Sequence, residues 1–415
     1  MRRAHVVGAG LAGLSAAMTL AEAGYRVRLS EAAPHAGGRC RSYRDPKLGC
    51  TIDNGNHLVL SGNARVAAYL ARIGAGDRLA GPTDARFDFA DLGDGARWQV
   101  RPNSGPIPWW IAAPRRRVPG TRVRDYLPLA RLGAAGPDER LADRLAVGGA
   151  LWARLLDPFF VSALNTPAAG ASAKLGGAIV TGTLARGGQA CRPLVAHPTL
   201  SAAFVDPALA WLEAHGAELR FGRRLRGLEE AGGRATALAF ADATDAVAAH
   251  EPVILAVPAW AAAELLPTLT VPDRHHAIVN AHFLLAPPPG APLLTGVVGG
   301  TAHWIFAFPD RLSVTVSAAD ALCDEDRETL AARLWTDVAA VLGLADPLPP
   351  WQIVRERRAT FAATPEQDRR RPPARTALAN LLLAGDWTQT GLPATIEGAI
   401  RSGESAAGIA IAEGR

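Results

Sequence analysis

Residues 4–31 read AHVVGAGLAGLSAAMTLAEAGYRVRLSE, and this stretch decides the fold of the N-terminal part of the chain. Ala4–Gly8 is a short apolar run that predicts a buried strand. Leu11–Ala23 carries apolar residues at helical spacing, and Gly24 ends the pattern. Tyr25–Ser30 predicts a second strand that ends at Glu31. The order of strand, glycine-rich turn, helix and strand predicts a βαβ unit in an α/β protein.

The turn of this unit has the pattern G-x-G-x-x-G. Its first glycine permits a tight turn, its second lets a pyrophosphate approach the backbone, and its third lets helix and strand pack closely. Phosphates would then lie against amides at a helix N-terminus, and Glu31 would accept hydrogen bonds from ribose hydroxyls. This context predicts a dinucleotide site rather than a structural turn. The predicted contacts are Gly8, Gly10, Leu11, Ala12, Gly13, Glu31 and Ala32.

The composition describes a globular protein with a basic surface. Of the 415 residues 49% are hydrophobic and 20% charged, which predicts a large core and favours two intertwined domains. The net charge is +5, but no Lys/Arg run with interleaved aromatics suggests a nucleic-acid groove. Arg115–Arg117 lies near Trp109 and Trp110, and this cluster is either a solvated loop or a membrane-surface contact.

The remaining composition argues against several classes of protein. The four cysteines form no C-x-x-C pair, so neither a disulfide framework nor a metal site is expected. Met1-Arg2-Arg3 leads directly into the first strand, and no stretch has the length and uniform apolarity of a membrane span. We therefore expect a cytoplasmic protein, soluble or peripherally bound to the inner face of the membrane.

Nucleotide-type strands are predicted at the beginning, the middle (251–257) and the end (380–384) of the chain. Segments 86–101, 277–285, 303–309 and 312–317 predict a second sheet, residues 127–164 look mainly helical, and 218–228 reads as one strand. One domain is therefore assembled from separated pieces, with the ligand between the two domains. The predicted cofactor domain comprises 1–75, 195–260 and 360–415, and the substrate domain 76–194 and 261–359.

Two further motifs carry a family resemblance. Gly37-Gly38-Arg39 follows Glu31, and Leu383-Ala384-Gly385-Asp386 lies near the C-terminus. Together with the glycine turn they resemble the flavin amine oxidase and phytoene desaturase superfamily. The resemblance implies a Rossmann-like FAD-binding domain with an inserted α+β substrate domain that contains a mixed or antiparallel sheet. It also implies that Asp386 bonds the ribityl chain and that amides of Thr395–Ala399 face the flavin O2 region.

The resemblance narrows at segments spread over nearly the whole chain. They are similar to the hydroxysqualene dehydroxylases, also described as squalene-associated FAD-dependent desaturases, with Asn56 standing where glutamine is expected. These segments are Asp53–His57, Gly105–Trp110, Arg116–Gly120, Ala163–Pro167, Arg357–Phe361 and Ala384–Ala399. Besides the contacts given above, the implied FAD contacts are Gly37, Gly38, Arg39, Asn54, Gly55, Asn56, His57, Leu225, Gly385, Asp386, Thr395, Ile396 and Ala399.

This family implies reductive dehydroxylation of hydroxysqualene, a C30 isoprenoid, to squalene for hopanoid synthesis. Hydride would pass from reduced flavin N5 to an allylic cation, with NAD(P)H or a partner reductase as the electron source. Such chemistry needs an acid for the leaving hydroxyl, an apolar tunnel and groups that tolerate positive charge. The predicted substrate contacts, each of which could instead be core packing, are Trp109, Trp110, Phe159, Phe160, Asn165, Trp387 and Leu392.

The predicted catalytic residues are His282, His57 and Asn280. Amine oxidases of the superfamily usually carry a lysine on a substrate-domain strand, and Asn280 stands roughly at that position in 277–285. His282 is two residues on and points to the same face. We expect His282 or His57 to donate a proton or orient a water, although His282 can equally be a hydrogen-bonded sheet residue, and Glu397 is a third candidate.

Three alternatives remain open at this point. A carotenoid-type desaturase shares the fold, tunnel and cofactor but runs in the oxidative direction. An amine oxidase is disfavoured because neither Lys47 nor Lys174 lies on the relevant strand. A lipid carrier that keeps the fold without using the flavin is disfavoured by the intact phosphate turn, Glu31 and Asp386. The sequence predicts no oligomeric state.

Overall fold

The computed structural model describes residues 2–345 and 347–414. Met1 and Arg415, the outer ends of the predicted cofactor domain, lie outside the described residues, as does Asp346. Strands and helices are numbered along the chain.

A five-stranded parallel sheet gathers strands from the two ends and the middle of the chain. Its order is β10-β2-β1-β14-β20. The strands are β1 (Arg3–Val7), β2 (Arg26–Ser30), β10 (Glu218–Arg220), β14 (Val253–Leu255) and β20 (Leu381–Leu383). Strands β1, β14 and β20 are almost completely buried, as expected when helices cover both faces of a parallel sheet.

Helix α1 (Leu11–Glu22) packs against α12 (Ile396–Glu413), so the first and last helices are direct neighbours. The approach is close because it occurs at Gly403, where an added Cβ would lie 2.1 Å from the Ala12 carbonyl oxygen. The start of α1 lies equally close to the turn after β1, since a Cβ added at Gly13 would lie 1.8 Å from the Gly8 carbonyl oxygen. Only glycine therefore permits these contacts, which fix both helix N-termini at the same edge of the sheet.

A seven-stranded mixed sheet forms the other main layer, in the order β19-β15-β18-β17-β16-β7-β8. Its pairs are antiparallel except β16 with β7. Helix α10 (Arg327–Leu342) covers one face. The strands are β7 (Phe87–Asp91), β8 (Arg97–Val100), β15 (His275–Phe283), β16 (Leu294–Val298), β17 (Trp304–Phe308), β18 (Arg311–Val316) and β19 (Trp351–Phe361).

Three small sheets and several short helices connect these layers. The strands are β3 (Ser42–Arg44) with β4 (Thr51–Asp53), then β5 (Leu58–Leu60), β6 (Leu79–Ala80) and β9 (Pro193–Ala196), and finally β11 (Leu225–Ala231), β12 (Arg234–Phe240) and β13 (Thr244–Ala246). The helices are α2 (Ala64–Arg72), α3 (Val123–Tyr126), α4 (Leu141–Arg144), α5 (Gly149–Leu151), α6 (Asp157–Leu164), α7 (Ala173–Gly182), α8 (Asp206–Ala214), α9 (Ala259–Leu265) and α11 (Pro365–Arg369).

The predicted α/β fold class, with a mixed second sheet, is confirmed, whereas two local predictions need correction. The single strand predicted over 218–228 is wrong, because β10 and β11 belong to different sheets and the chain turns at Gly222 with a φ of +71°. The helical segment predicted over 127–164 is interrupted, since Gly148 has a φ of +109° and ends any helix before it. A continuous helical run occupies only 149–164, with a π-helical turn at 152–156.

Candidate active site

Three distant motifs meet at one ion pair. Nη2 of Arg39 lies 2.7 Å from both carboxylate oxygens of Asp386. Nη1 of Arg39 donates to the backbone oxygen of Ala359 at 2.6 Å. Asp386 itself is only 5% exposed, and a charge-assisted hydrogen bond of this kind is strong. The GGR segment, the GD segment and the end of β19 are therefore held together beside the parallel sheet.

The glycine turn forms an open anion cradle. Gly8 has a φ of +105°, and no described side chain caps α1, so its first-turn amides remain free for a ligand. Among the described residues, a Cβ added at Gly10 would meet nothing within 4 Å. The Glu31 carboxylate accepts hydrogen bonds from the amides of Ala9 at 2.7 Å and Ala33 at 2.8 Å. These residues fit the pyrophosphate and ribose of FAD.

The C-terminal motif is fixed by its own contacts. The Thr395 hydroxyl caps α12 by accepting from the Gly398 amide at 3.1 Å. Trp387 is 4% exposed and donates from Nε1 to the backbone oxygen of Val257 at 2.9 Å. A Cβ added at Gly385 would lie 2.3 Å from that indole nitrogen. The packing thus leaves the amides at the start of α12 available to a ligand and buries Trp387, while Leu392 is half-buried.

The turn at 53–57 contacts the second sheet through an amide network. Asn56 donates from Nδ2 to the Thr315 hydroxyl at 3.0 Å, and this hydroxyl donates to Oδ1 of Asn280 at 2.8 Å. The Asn56 backbone amide also donates to Oδ1 of Asn280, at 3.3 Å. A Cβ added at Gly55 would lie 3.0 Å from Nδ2 of Asn280. Asn280 therefore lies directly against the predicted flavin turn.

His282 lies beneath this turn and is completely buried. Its Nε2 is 3.1 Å from the backbone oxygen of Asp53, and its Nδ1 is 2.5 Å from the Ser313 hydroxyl. Burial, and then the positive charge of Arg311, lower the pKa of His282 to about 3. The ring is therefore uncharged at neutral pH and both nitrogens have protein partners, a geometry that favours the structural alternative for this residue.

The other two proton-donor candidates differ from each other. His57 is half-buried beside Arg39, and burial followed by the Arg39 charge lowers its pKa to about 4. Glu397 instead caps a neighbouring helix. Its carboxylate oxygens accept from the first amides of α2, those of Arg65 at 3.1 Å and Val66 at 2.9 Å. Glu397 thus has a structural role at a helix N-terminus, whereas His57 borders the ion pair of Arg39 and Asp386.

Sequence reasoning missed Glu356 and Arg358 on β19. Glu356 accepts from Nδ2 of Asn54 at 3.4 Å, so it faces the predicted flavin turn. Arg358 lies with its guanidinium carbon 5.0 Å from the ring centre of Trp260. Arg357 lies on the opposite side and bonds Asp324 at 2.7 Å. In a strand, side chains two residues apart face the same side, and this spacing groups Glu356 with Arg358. The spacing is informative only if 351–361 has first been recognised as one strand.

The inward face of the second sheet is divided into a polar and an aromatic end. At the β19-β15-β18 end it presents Asn280, Ser313, Thr315 and Glu356, next to the flavin motifs. At the other end an apolar cluster joins the sheet to α6. Its members include Phe89, Trp98, Leu164, Leu294, Trp304, Phe306 and Phe308.

The predicted substrate residues fall into two groups. Trp110, Phe159 and Phe160 belong to or pack on the apolar cluster, with Phe160 fully buried. Asn165 is buried and donates from Nδ2 to the Thr360 hydroxyl at 2.9 Å. Trp109, by contrast, is 55% exposed because the 3-10 turn at 109–112 points successive side chains in different directions. Trp109 therefore lies on the surface, and its contact with substrate stays a prediction.

The part of the chain that the structure describes contains no group of three or more His, Cys, Asp or Glu side chains placed to hold a metal ion. Within the same residues, no helix combines the length and apolarity needed to cross a bilayer.

Comparison with known proteins agrees with this architecture. Residues 11–411 match the family of flavin-containing amine oxidoreductases. A hydroxysqualene dehydroxylase of Zymomonas mobilis is 49% identical over 407 residues, with 98% of each chain covered. One from Rhodopseudomonas palustris is 51% identical over 412 residues, with 99% of each chain covered. The crystal structure of a putrescine oxidase variant matches with a TM-score of 0.72 and 16% identity over 99% of both chains, a likeness of fold alone.

Proposed function

Because this chain belongs to the flavin-containing amine oxidoreductases and, within them, to the hydroxysqualene dehydroxylases, we propose that it reduces hydroxysqualene to squalene. It is an FAD-dependent oxidoreductase. In the proposed reaction the allylic hydroxyl takes up a proton and leaves as water, and a hydride replaces it on carbon. Bound FAD in its reduced form supplies that hydride, and NAD(P)H or a partner reductase supplies the electrons.

The observation that carries this proposal is the divided face of the second sheet. Hydroxysqualene is a hydrocarbon chain with one hydroxyl group. The aromatic end of the face, closed by α6, suits the hydrocarbon and excludes water. The polar end, with Asn280 and the turn at 53–57, suits the hydroxyl beside the flavin motifs.

The protein groups have separable tasks in this proposal. Aromatic side chains such as Phe160 and Trp110 bind the hydrocarbon chain at the aromatic end of the site. Asn280 and the half-buried His57 orient the hydroxyl by hydrogen bonding. His57 is uncharged at neutral pH because its pKa is about 4, so it donates a hydrogen bond from a neutral ring rather than a proton from a cation. Glu356 on β19 accepts a hydrogen bond from Asn54 in the turn at 53–57, and its carboxyl group is our candidate for the acid.

An anaerobic single-turnover experiment tests the reaction. Chemically reduced enzyme is mixed with hydroxysqualene, flavin absorbance is followed, and squalene is extracted and measured. We expect the flavin to reoxidise with one squalene formed per flavin. A flavin that stays reduced with no squalene formed would refute the proposal. A desaturase would instead bleach oxidised flavin when a polyene precursor is added, and an amine oxidase would do so with an amine.

Trp110→Ala tests the aromatic part of the site. Removal of a buried indole from the cluster that would hold the hydrocarbon is expected to raise KM roughly tenfold or more, because several kcal/mol of apolar burial is lost. Trp211→Ala is the matched control, because Trp211 stacks on His215 at the end of α8 and touches neither predicted site. Unchanged affinity and turnover in Trp110→Ala would remove this residue from the substrate site.

We further propose that the enzyme meets its substrate at the cytoplasmic membrane as a peripheral protein. A C30 isoprenoid alcohol partitions into lipid rather than water, so an enzyme that takes it up benefits from contact with the bilayer.

A further inference from the structure

Five large apolar side chains stand on the surface within one short stretch of the chain. The exposed fractions are 76% for Ile107, 55% for Trp109, 39% for Val123, 60% for Leu127 and 54% for Val147. Isolated exposed apolar residues are ordinary, but contiguous groups mark interaction sites. We call the exposed residues of 104–131, together with Val147, the basic apolar surface.

Buried partners hold this surface in one piece. The ring of Trp110, next to the exposed Trp109, contacts the ring of Tyr126 edge-on with centres 5.5 Å apart. The Tyr126 hydroxyl accepts from the Val118 amide at 3.1 Å. A Cβ added at Gly120 would lie 3.6 Å from the Cβ of Ala150, which brings the segment of Val147 alongside. The exposed apolar residues are therefore carried by a packed block rather than by a loose loop.

The same block carries concentrated positive charge. The segment from Ser104 to Arg131 includes six arginines and one acidic residue, Asp125, which gives it a net charge of +5. This value equals the net charge of the whole chain. Among the described ion pairs, Arg124 is the only one of the six with a carboxylate partner, Asp125 at 3.9 Å. Arg116 lies over the ring of Trp109, 4.7 Å from its centre. Cationic and apolar groups thus lie close together in this block, and five of its six arginines have no carboxylate partner among the described ion pairs.

We propose that the basic apolar surface docks the enzyme on an anionic lipid bilayer, an inference that rests on the proposed function because the substrate is then dissolved in that lipid. Trp109, Ile107 and Leu127 enter the boundary between headgroups and acyl chains, where amphipathic indole rings are stable. The unpaired arginines bond lipid phosphates and gain from the negative surface potential. A membrane satisfies both chemistries at once, which neither an apolar nor an acidic protein partner alone would do.

The surface is also connected to the aromatic end of the proposed site. The helical run 149–164 starts beside Val147 and ends at Leu164 against the second sheet. Sixteen helical residues span about 24 Å. Phe159 and Phe160 lie in its inner half. One helix therefore leads from the docked surface to the place that would hold the hydrocarbon chain.

Vesicle cosedimentation of the FAD-loaded full chain tests this proposal. Phosphatidylcholine vesicles with and without phosphatidylglycerol are compared at low and high salt. We expect binding to the anionic vesicles that weakens with salt. Arg115→Gln with Arg116→Gln should reduce binding roughly 25-fold, since each arginine near such a surface contributes about 1 kcal/mol. Trp109→Ser with Leu127→Ser should reduce it at least as strongly, because apolar insertion is lost.

Matched controls lie elsewhere on the surface. Arg44 and Arg226 are exposed, and Leu285 is 37% exposed. Arg44→Gln with Arg226→Gln, and Leu285→Ser, should bind vesicles like the unmodified chain. Flavin absorbance and thermal melting establish that each variant is folded, and the arginine pair keeps the test valid if the apolar pair does not fold.

Two results would overturn the proposal. One is absence of binding to anionic vesicles, or equal binding by surface and control variants. The other is a change of oligomeric state in Trp109→Ser with Leu127→Ser, seen by light scattering without any vesicle binding, which would make the surface an interface between copies. Turnover of detergent-dispersed hydroxysqualene should be the same in the unmodified chain, in Arg115→Gln with Arg116→Gln and in the control variants. Its failure in the unmodified chain would count against the proposed function and leave the vesicle result standing.

Discussion

The substitution Gly403→Ala is predicted to weaken FAD binding, although Gly403 is not itself a predicted cofactor contact. The added Cβ would lie 2.1 Å from the backbone oxygen of Ala12 and 2.9 Å from the amide nitrogen of Ala16. Both obstacles are backbone atoms of α1, so no side chain can move aside. Ordinary contact at 3.4 Å requires α12 to withdraw by about 1.3 Å, the difference between these two distances.

The expected magnitude follows from the cost of overpacking, about 1–3 kcal/mol for an added methyl group in a tight interface. Because the N-termini of α1 and α12 are both predicted to contact the cofactor, separating the two helices would misplace one set of amides. If the added methyl group raises the free energy of the FAD-bound protein by this full amount and leaves that of the free protein unchanged, FAD affinity decreases roughly 5- to 150-fold. The assay is fluorescence titration of the cofactor-free chain with FAD, together with the melting temperature.

Gly408→Ala on the same helix is the matched control. It is exposed, and among the described residues a Cβ there would meet nothing within 4 Å. Alanine is the better helix former, so this change should leave FAD affinity within about twofold and stabilise the helix by up to about 1 kcal/mol. Unaltered FAD affinity and melting in Gly403→Ala would refute the reasoning that this glycine sets the spacing of the two helices.

Three other substitutions test the described contacts. Arg39→Lys removes the guanidinium that joins Asp386 to the backbone oxygen of Ala359 and should weaken FAD binding about tenfold in the same titration, with Arg44→Lys unchanged; equal affinities would show that this guanidinium does not shape the site. Burial holds the pKa of His282 at about 3, below its usual value of 6.5, so folding stability is retained above pH 6.5 and lost as pH falls towards 3, by about 1.4 kcal/mol per pH unit. Urea unfolding at neutral and mildly acidic pH should show a shallower pH dependence in His282→Gln, and an unchanged slope would contradict the assignment. Glu397→Ala removes a cap of α2 and should cost about 1 kcal/mol of stability with little loss of turnover, whereas lost turnover at unchanged stability would reinstate Glu397 as an acid.

The features that the sequence predicted best are those that impose a backbone requirement at a fixed spacing. The phosphate turn was readable because Gly8 must adopt a positive φ and Gly13 must touch the Gly8 carbonyl. The parallel strands were readable as short apolar runs, although their neighbours in the sheet depend on contacts between residues far apart in the chain. Strand β19 was not predicted, because its many charged residues hide the strand pattern.

Side-chain environments were harder to predict than elements. The two-residue alternation of a strand correctly put Asn280 and His282 on one face of β15. It could not show how the turn at 53–57 packs on each of these two side chains. Asn280 meets the amide of Asn56, while His282 is covered by the carbonyl of Asp53. Trp109 and Trp110 are adjacent and chemically identical, yet one is exposed and the other buried, since neither a helical nor a strand period applies to a single 3-10 turn.

The strand order of the parallel sheet has a consequence for how the protein is made. On the ribosome, β1 and β2 emerge early, but β14 follows only after about 220 further residues and β20 later still. A nascent chain therefore exposes an unpaired edge of β1 until β14 is made, which favours wrong pairing with other strands. Helix α12 follows β20 in the chain, so the predicted contacts of its N-terminal amides with the flavin must await its synthesis. Supplying riboflavin, the vitamin precursor of FAD, or a chaperone during expression should therefore change the yield of folded protein more than the activity of the folded enzyme.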